Sequence, residues 1–268
     1  MSNIGLSHRF TKAIVRKPSK SIIKGLRADD RGEPDATQFA EDHKAYITAL
    51  EQAGVTVDSY PALEDFPDSV FVEDAALCFP EGAVILRPGA PSRTGEAEVM
   101  HQLLLSYFED IERIGDDEGY VDGGDILVTE DAVLVGLSER TNQDGFNSLK
   151  RKIAKWGYHA KAISTPEGVL HFKTDCGLIG PNAVLATYRL SNVECFSGMK
   201  VIEVPRGEET AANAICVNDT VLLSDGFPKT AELLRSEGYQ VTLIPTQQAA
   251  LVDGGPSCMS LRFNPDKV

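Results

Sequence analysis

Cys258 ends the run Gly-Gly-Pro-Ser-Cys in "LVDGGPSCM". Small, turn-prone neighbours expose a thiol and let a substrate come close, which is the setting of a nucleophile. Cys78 and Cys216 lie inside apolar runs instead and read as small buried hydrophobes. A thiol nucleophile needs a proton-handling partner. His171, in "GVLHFKT", is the candidate, although a lone histidine is more often structural. Asp122, in "YVDGGDILV", is either a turn residue or the carboxylate that orients an imidazole. The tetrapeptide Val-Asp-Gly-Gly occurs twice, at 121–124 and 252–255. A Gly-Gly pair lets backbone approach where a side chain would clash.

Charged candidates complete a possible pocket. "FPDSVFVED" gathers Asp68, Glu73 and Asp74, carboxylates that are ordinarily solvated but at a pocket mouth could hold a planar cation bidentately. Arg93 in "GAPSRTGE" and Arg140 in "GLSERTNQDG" supply the opposite sign and together could take a substrate carboxylate. A pocket of both signs fits a zwitterionic amino acid with an extra positive end. The net charge of −14 argues against nucleic acid as a partner; a negative field would attract small cations, but surface acid that mainly keeps a protein soluble explains the charge alone at least as well. No apolar run approaches the length of a membrane span, and "MSNIGLSHRFTK" lacks a secretory signal, so a cytoplasmic protein is expected. Five cysteines without C-x-x-C spacing and five histidines without i, i+4 spacing support neither a disulfide framework nor a metal site.

These residues need elements to bring them together. "AALCFPEGAVILR", "DILVTEDAVLVGL", "CGLIGPNAVLATY" and "AICVNDTVLLSDG" read as hairpins. Helical patterns lie between them, in "EAEVMHQLLLSYF", "GFNSLKRKIAKWG" and "FPKTAELLRSEGY". Short strands follow: "VTVDSYP", "DIERI", "YHAKAIS", "KVIEVP" and "QVTLIP". The unit is strand–strand–helix–strand, recurring every roughly 40–50 residues, the spacing of radial arrays. "RFTKAIVRKP" and the C-terminal "SCMSLRF" are expected to close the ring, making 1–268 a single α/β domain of five units. A doubly wound sheet is the rival, weakened by hairpins where βαβ crossovers would be needed. A radial array would carry Asp74, Asp122, His171, Asn213 and Cys258 to one axial end.

In this order, "FPDSVFVEDAALC", "RPGAPSRTGE", "VDGGDIL", "GLSERTNQDG", "LHFKT" and "VDGGPSCMSLRF" resemble the dimethylarginine dimethylaminohydrolase family of the amidinotransferase-like (pentein) superfamily, over nearly the whole chain. The resemblance implies a five-bladed α/β propeller of ββαβ units with pseudo-fivefold symmetry and an active site at one end of the axis. It implies hydrolysis of Nω,Nω-dimethyl-L-arginine and Nω-monomethyl-L-arginine to L-citrulline and the methylamine, without metal or organic cofactor, by a monomer or homodimer. Carried over by motif, Cys258 resembles the nucleophile, His171 the general acid/base and Asp122 its supporting carboxylate. Asp74 and Glu73 resemble the guanidinium side of the pocket, Asp68 a further substrate contact, and Arg93 and Arg140 the α-carboxylate clamp. Leu26 and Val252 match positions whose backbone contacts substrate, and the loop 24–35 resembles a lid. Arginine or agmatine deimination, amidino transfer and a non-catalytic arginine-binding role remain the alternatives; a cysteine peptidase fits an enclosed, charge-lined pocket less well.

Overall fold

A computed structural model describes residues 7–166 and 168–265. Strand β1 (Lys12–Arg16) is followed by helix α1 (Ala36–Gln52) and β2 (Thr56–Tyr60). The next set is β3 (Ala76–Phe79), β4 (Gly82–Ile85), α2 (Thr94–Leu104) and β5 (Ile111–Arg113). A third comprises β6 (Ile126–Val128), β7 (Val133–Leu137), α3 (Gln143–Ala154) and β8 (Ala160–Ser164). Then come β9 (Cys176–Gly180), β10 (Ala183–Ala186) and β11 (Lys200–Glu203). The last set is β12 (Ile215–Val217), β13 (Thr220–Ser224), α4 (Pro228–Ser236) and β14 (Gln240–Ile244), followed by the short α5 (Gln247–Ala250) and β15 (Leu261–Phe263).

Each set forms one three-stranded sheet, giving five sheets among the described residues. In four of them a hairpin pairs the first two strands antiparallel and the third returns parallel to the second. The first sheet borrows its hairpin strand from the other end of the chain. β15 runs antiparallel to β1, with Ala13 opposite Arg262, and β2 lies parallel on the other side. The chain ends thus close a five-bladed α/β propeller of ββαβ type.

The strand patterns follow from their depth. The middle strands β4, β10 and β13 are buried throughout, as continuous apolar runs require, whereas the outer β2 and β14 are partly exposed. Asn182 and Asn218 take positive φ of 50° and 57° at their hairpin turns, a conformation asparagine tolerates better than most residues. Helix α3 starts at Asn142, whose side chain accepts from Gly145 N at 2.9 Å. Its Phe146, Leu149 and Ile153 then pack with Trp156 into one buried cluster. Burying side chains of that size contributes about 1.5–3 kcal/mol each.

One blade departs from the expected unit. Between β10 and β11 the chain carries no α-helix, only a 3₁₀ turn at Glu194–Phe196. Within "TYRLSNVECFSGM", Leu190 and Phe196 are buried in one cluster with Phe172, and Val193, Cys195 and Met199 pack against it. Among the described residues no helix is long and apolar enough to cross a membrane.

Candidate active site

Four blades enter their hairpin strand through a 3₁₀ turn: Val72–Ala75, Gly123–Asp125, Phe172–Thr174 and Glu209–Ala212. Asp74 lies on the first, Asp122 and His171 immediately precede the second and third, and Asn213 follows the fourth. The fifth blade enters through the Cys258 loop. Asp74, Asp122, His171 and Cys258 all line one cavity of about 220 Å³. Asn213 stands behind it as a brace, its amide bonded to Ser257 N at 3.0 Å and Ser257 Oγ at 3.1 Å.

The repeated Val-Asp-Gly-Gly answers to close packing in both places. A Cβ on Gly123 would stand 1.9 Å from the Glu73 carbonyl oxygen, and one on Gly124 2.7 Å from His171 Nδ1. In the second copy, a Cβ on Gly254 would stand 2.2 Å from the Phe71 ring and one on Gly255 2.6 Å from Asn213 Oδ1. Both corners bring backbone against a neighbouring blade.

His171 Nε2 stands 2.9 Å from Asp122 Oδ2, and Asp122 Oδ1 accepts from Gly89 N at 2.7 Å. Burial opposes charge on His171, but the Asp122 hydrogen bond and the charges of Asp74, Asp125 and Asp122 outweigh it and push the imidazole up to about 9. It is an imidazolium at neutral pH. Cys258 is pushed up to about 11 by burial and then by the charges of Glu73 and Asp74, which favour the neutral thiol. A proton donor, a thiol and the Asp74 carboxylate therefore share one cavity.

Asp74 accepts from Gly124 N at 2.8 Å and pairs with Arg93 Nη1. Arg93 is buried and largely committed. Its Nε bonds Glu96 at 3.1 Å, and its Nη2 bonds Glu96 at 2.7 Å and the Phe71 carbonyl at 2.8 Å. Only one Nη1 hydrogen is left over, which makes Arg93 first a partner of Asp74 rather than a free clamp. Arg140 lines the cavity with a guanidinium that has no hydrogen-bond or ion-pair partner among the described residues. Asp68 lines it too, accepting from Leu26 N at 2.9 Å, with its carboxyl pushed up by burial against the opposing Arg93 charge.

Glu73 is placed differently from the expectation. Its Oε1 pairs with Lys173 Nζ and, at 3.3 Å, with Arg262 Nη2, and these three line a separate cavity of about 110 Å³. On a 3₁₀ turn consecutive side chains point about 120° apart, so Glu73 and Asp74 face different ways. Leu26 and Val252 both line the larger cavity, as does Asp253, whose Oδ2 accepts from Ala28 N at 2.5 Å and whose Oδ1 accepts from Arg31 at 2.9 Å. These bonds tie the loop 24–35 to Asp253 beside the cavity, which Leu26, Arg27 and Ala28 also line.

Sequence reasoning missed Glu96, Asp253 and Asp125, all of them partners of other residues rather than exposed groups. Glu96 lies within "SRTGE" and Asp125 within "VDGGDIL", so the motifs contained them without showing their bonds. Ligand atoms of Asp74, Asp122 and His171 lie within 4.8 Å of one another. They are nonetheless engaged, Asp122 with His171 and Asp74 with Arg93 and Gly124, so a metal would first have to displace Arg93.

Comparison with known proteins identifies relatives along the whole chain. The family model described as arginine deiminase matches residues 37–166. A curated N(G),N(G)-dimethylarginine dimethylaminohydrolase of Pseudomonas aeruginosa is 38% identical, covering 95% of this chain and 100% of its own. One of Streptomyces coelicolor is 32% identical over 94% of this chain and 96% of its own. A solved structure of the Pseudomonas aeruginosa enzyme, a cysteine-to-serine variant complexed with citrulline, matches with a TM-score of 0.92 at 37% identity, covering 95% of this chain and 100% of that one. With full-length similarity at that level, the chain belongs to the dimethylarginine dimethylaminohydrolase family.

Proposed function

We propose that this protein hydrolyses Nω,Nω-dimethyl-L-arginine, and Nω-monomethyl-L-arginine, to L-citrulline and the corresponding methylamine, with residues 1–268 as one catalytic unit. The observation that carries the reading is that Cys258, His171 and a buried Asp74 line one cavity, with His171 held by Asp122 at 2.9 Å. The five free cysteines agree with action in the cytoplasm.

The guanidinium docks against Asp74, which localises its delocalised charge and makes the central carbon more electrophilic. The same cation offsets the Glu73 and Asp74 charges that hold the thiol proton, so Cys258 ionises with substrate in place and releases that proton to solvent. The thiolate forms a C–S bond at the guanidinium carbon. His171 gives its proton to the dimethylamine nitrogen as the C–N bond breaks, leaving a thiouronium on Cys258. The neutral imidazole then takes a proton from water as the oxygen adds to that carbon. The C–S bond breaks, sulfur takes up the surplus proton, and citrulline leaves with its new carbonyl. Asp122 holds the imidazole throughout, through the 2.9 Å bond to Nε2. Arg140 takes the α-carboxylate, aided by the remaining Arg93 hydrogen, and the Leu26 and Val252 backbone borders the amino-acid end.

Acid quenching during turnover tests the covalent step. Intact-mass measurement is expected to show a thiouronium-type adduct on Cys258. A steady state with free thiol only, under conditions where amine release outruns citrulline release, is the result against it.

A further inference from the structure

We propose that Asp125 is a positioning residue that locks the acid/base loop and the carboxylate-binding loop into a single geometry. The inference rests on the functional reading above and deepens it. Asp125 is 0% exposed, and no cation pairs with it among the described residues. Its charge is met by hydrogen bonds from three residues on two segments, the 138–141 turn and the start of the turn after His171. Oδ1 accepts from Phe172 N at 2.8 Å, the residue next to His171. Oδ2 accepts from Ser138 Oγ and from Thr141 Oγ1, each at 2.7 Å.

Each donor leads to a different working residue. Ser138 Oγ accepts from Arg140 N at 2.9 Å, which fixes the backbone that carries the free guanidinium. Thr141 Oγ1 accepts from Asp122 N at 3.1 Å, which fixes the carboxylate under the imidazole. Phe172 N fixes the start of the turn that His171 immediately precedes. One buried carboxylate thus ties Asp122, Arg140 and His171 together without touching the cavity, whose lining does not include it. A displacement of about 1 Å at such a hub is enough to cost roughly 10²-fold in rate.

An ordinary buried turn carboxylate would also lower stability when replaced, so stability alone does not decide. The separate arms do. Ser138→Ala cuts only the Arg140 arm and is expected to raise KM about tenfold with kcat close to wild type. Thr141→Val cuts the Asp122 arm and is expected to lower kcat with KM close to wild type. Asp125→Asn cuts both and is expected to move both constants. Rates are normalised to the folded fraction by circular dichroism and to titratable Cys258 thiol. On a methylated guanidine without an α-carboxylate, the Ser138→Ala defect is expected to disappear.

Citrulline affinity, measured by calorimetry, gives a readout independent of turnover: Ser138→Ala and Asp125→Asn weaken it and Thr141→Val does not. Wild-type protein inactive on every guanidine would defeat the functional reading while leaving this affinity comparison intact. Folded Asp125→Asn protein with wild-type kcat, KM and citrulline affinity overturns the inference. So do Ser138→Ala and Thr141→Val variants that shift the same constant by the same factor.

Discussion

His171 Nε2 and Asp122 Oδ2 lie 2.9 Å apart in a pair whose carboxylate is fully buried. That contact, with the charges of Asp74 and Asp125, lifts the imidazole from 6.5 to about 9 against the opposing effect of burial. The folded-state value is the higher one, so the pair contributes stability fully below pH 6.5 and loses it as pH rises through about 9. Denaturant midpoints are expected to fall over that window in wild type and to fall less in His171→Gln. The proton donated to the leaving amine is lost in the same window, so the rate of amine release is expected to drop above pH 9. Parallel midpoint curves for the two proteins would contradict the assignment.

Gly124 offers a second check, because only a missing side chain lets its backbone pass His171. A Cβ there would stand 2.7 Å from His171 Nδ1 and 3.2 Å from Asp74 Oδ1. Gly124→Ala is expected to reduce kcat by about 10²-fold by displacing the imidazole, with the fold retained. Gly123→Ala meets the Glu73 carbonyl at 1.9 Å, main chain that yields less readily. It is expected to cost stability, roughly 1–3 kcal/mol by overpacking. Thermal denaturation beside steady-state rates separates the two.

The blades were legible in the chain because hairpin turns and apolar runs are local signals. So were Cys258, His171 and Asp122, whose motifs place them at the mouths of strands. What the sequence hid were partnerships between distant segments. Nothing in "SRTGE" says that Arg93 is taken up by Asp74 and Glu96, or in "VFVED" that Glu73 turns to Lys173 and Arg262. The helix expected in the fourth blade failed for a related reason. Its Leu190, Val193, Cys195, Phe196 and Met199 pack into a cluster around Phe172 and the strands of that sheet, contacts that only the finished blade supplies.

Asp253 bonds Arg31 of the loop 24–35 beside the cavity, and does so from a left-handed conformation with φ of 56°. Asp253→Asn keeps a residue that accepts that backbone but removes the charge from Arg31. With Arg31 half exposed at 49%, the pair is a weak one. Its loss is expected to raise KM by at most about fivefold, the equivalent of roughly 1 kcal/mol, with kcat unchanged. Proteolysis within 24–35 is expected to quicken. Unaltered cleavage and unaltered KM would show that this bond does not govern closure.

The most direct measurement is citrulline release from dimethylarginine, monomethylarginine, arginine and agmatine in parallel, with Cys258→Ser as the control. Turnover of the methylated substrates ahead of arginine and agmatine, absent from a folded Cys258→Ser protein, is the expected result. Preference for arginine or agmatine would keep the chemistry but make the enzyme a deiminase. Undiminished release by Cys258→Ser would contradict a mechanism built on that sulfur.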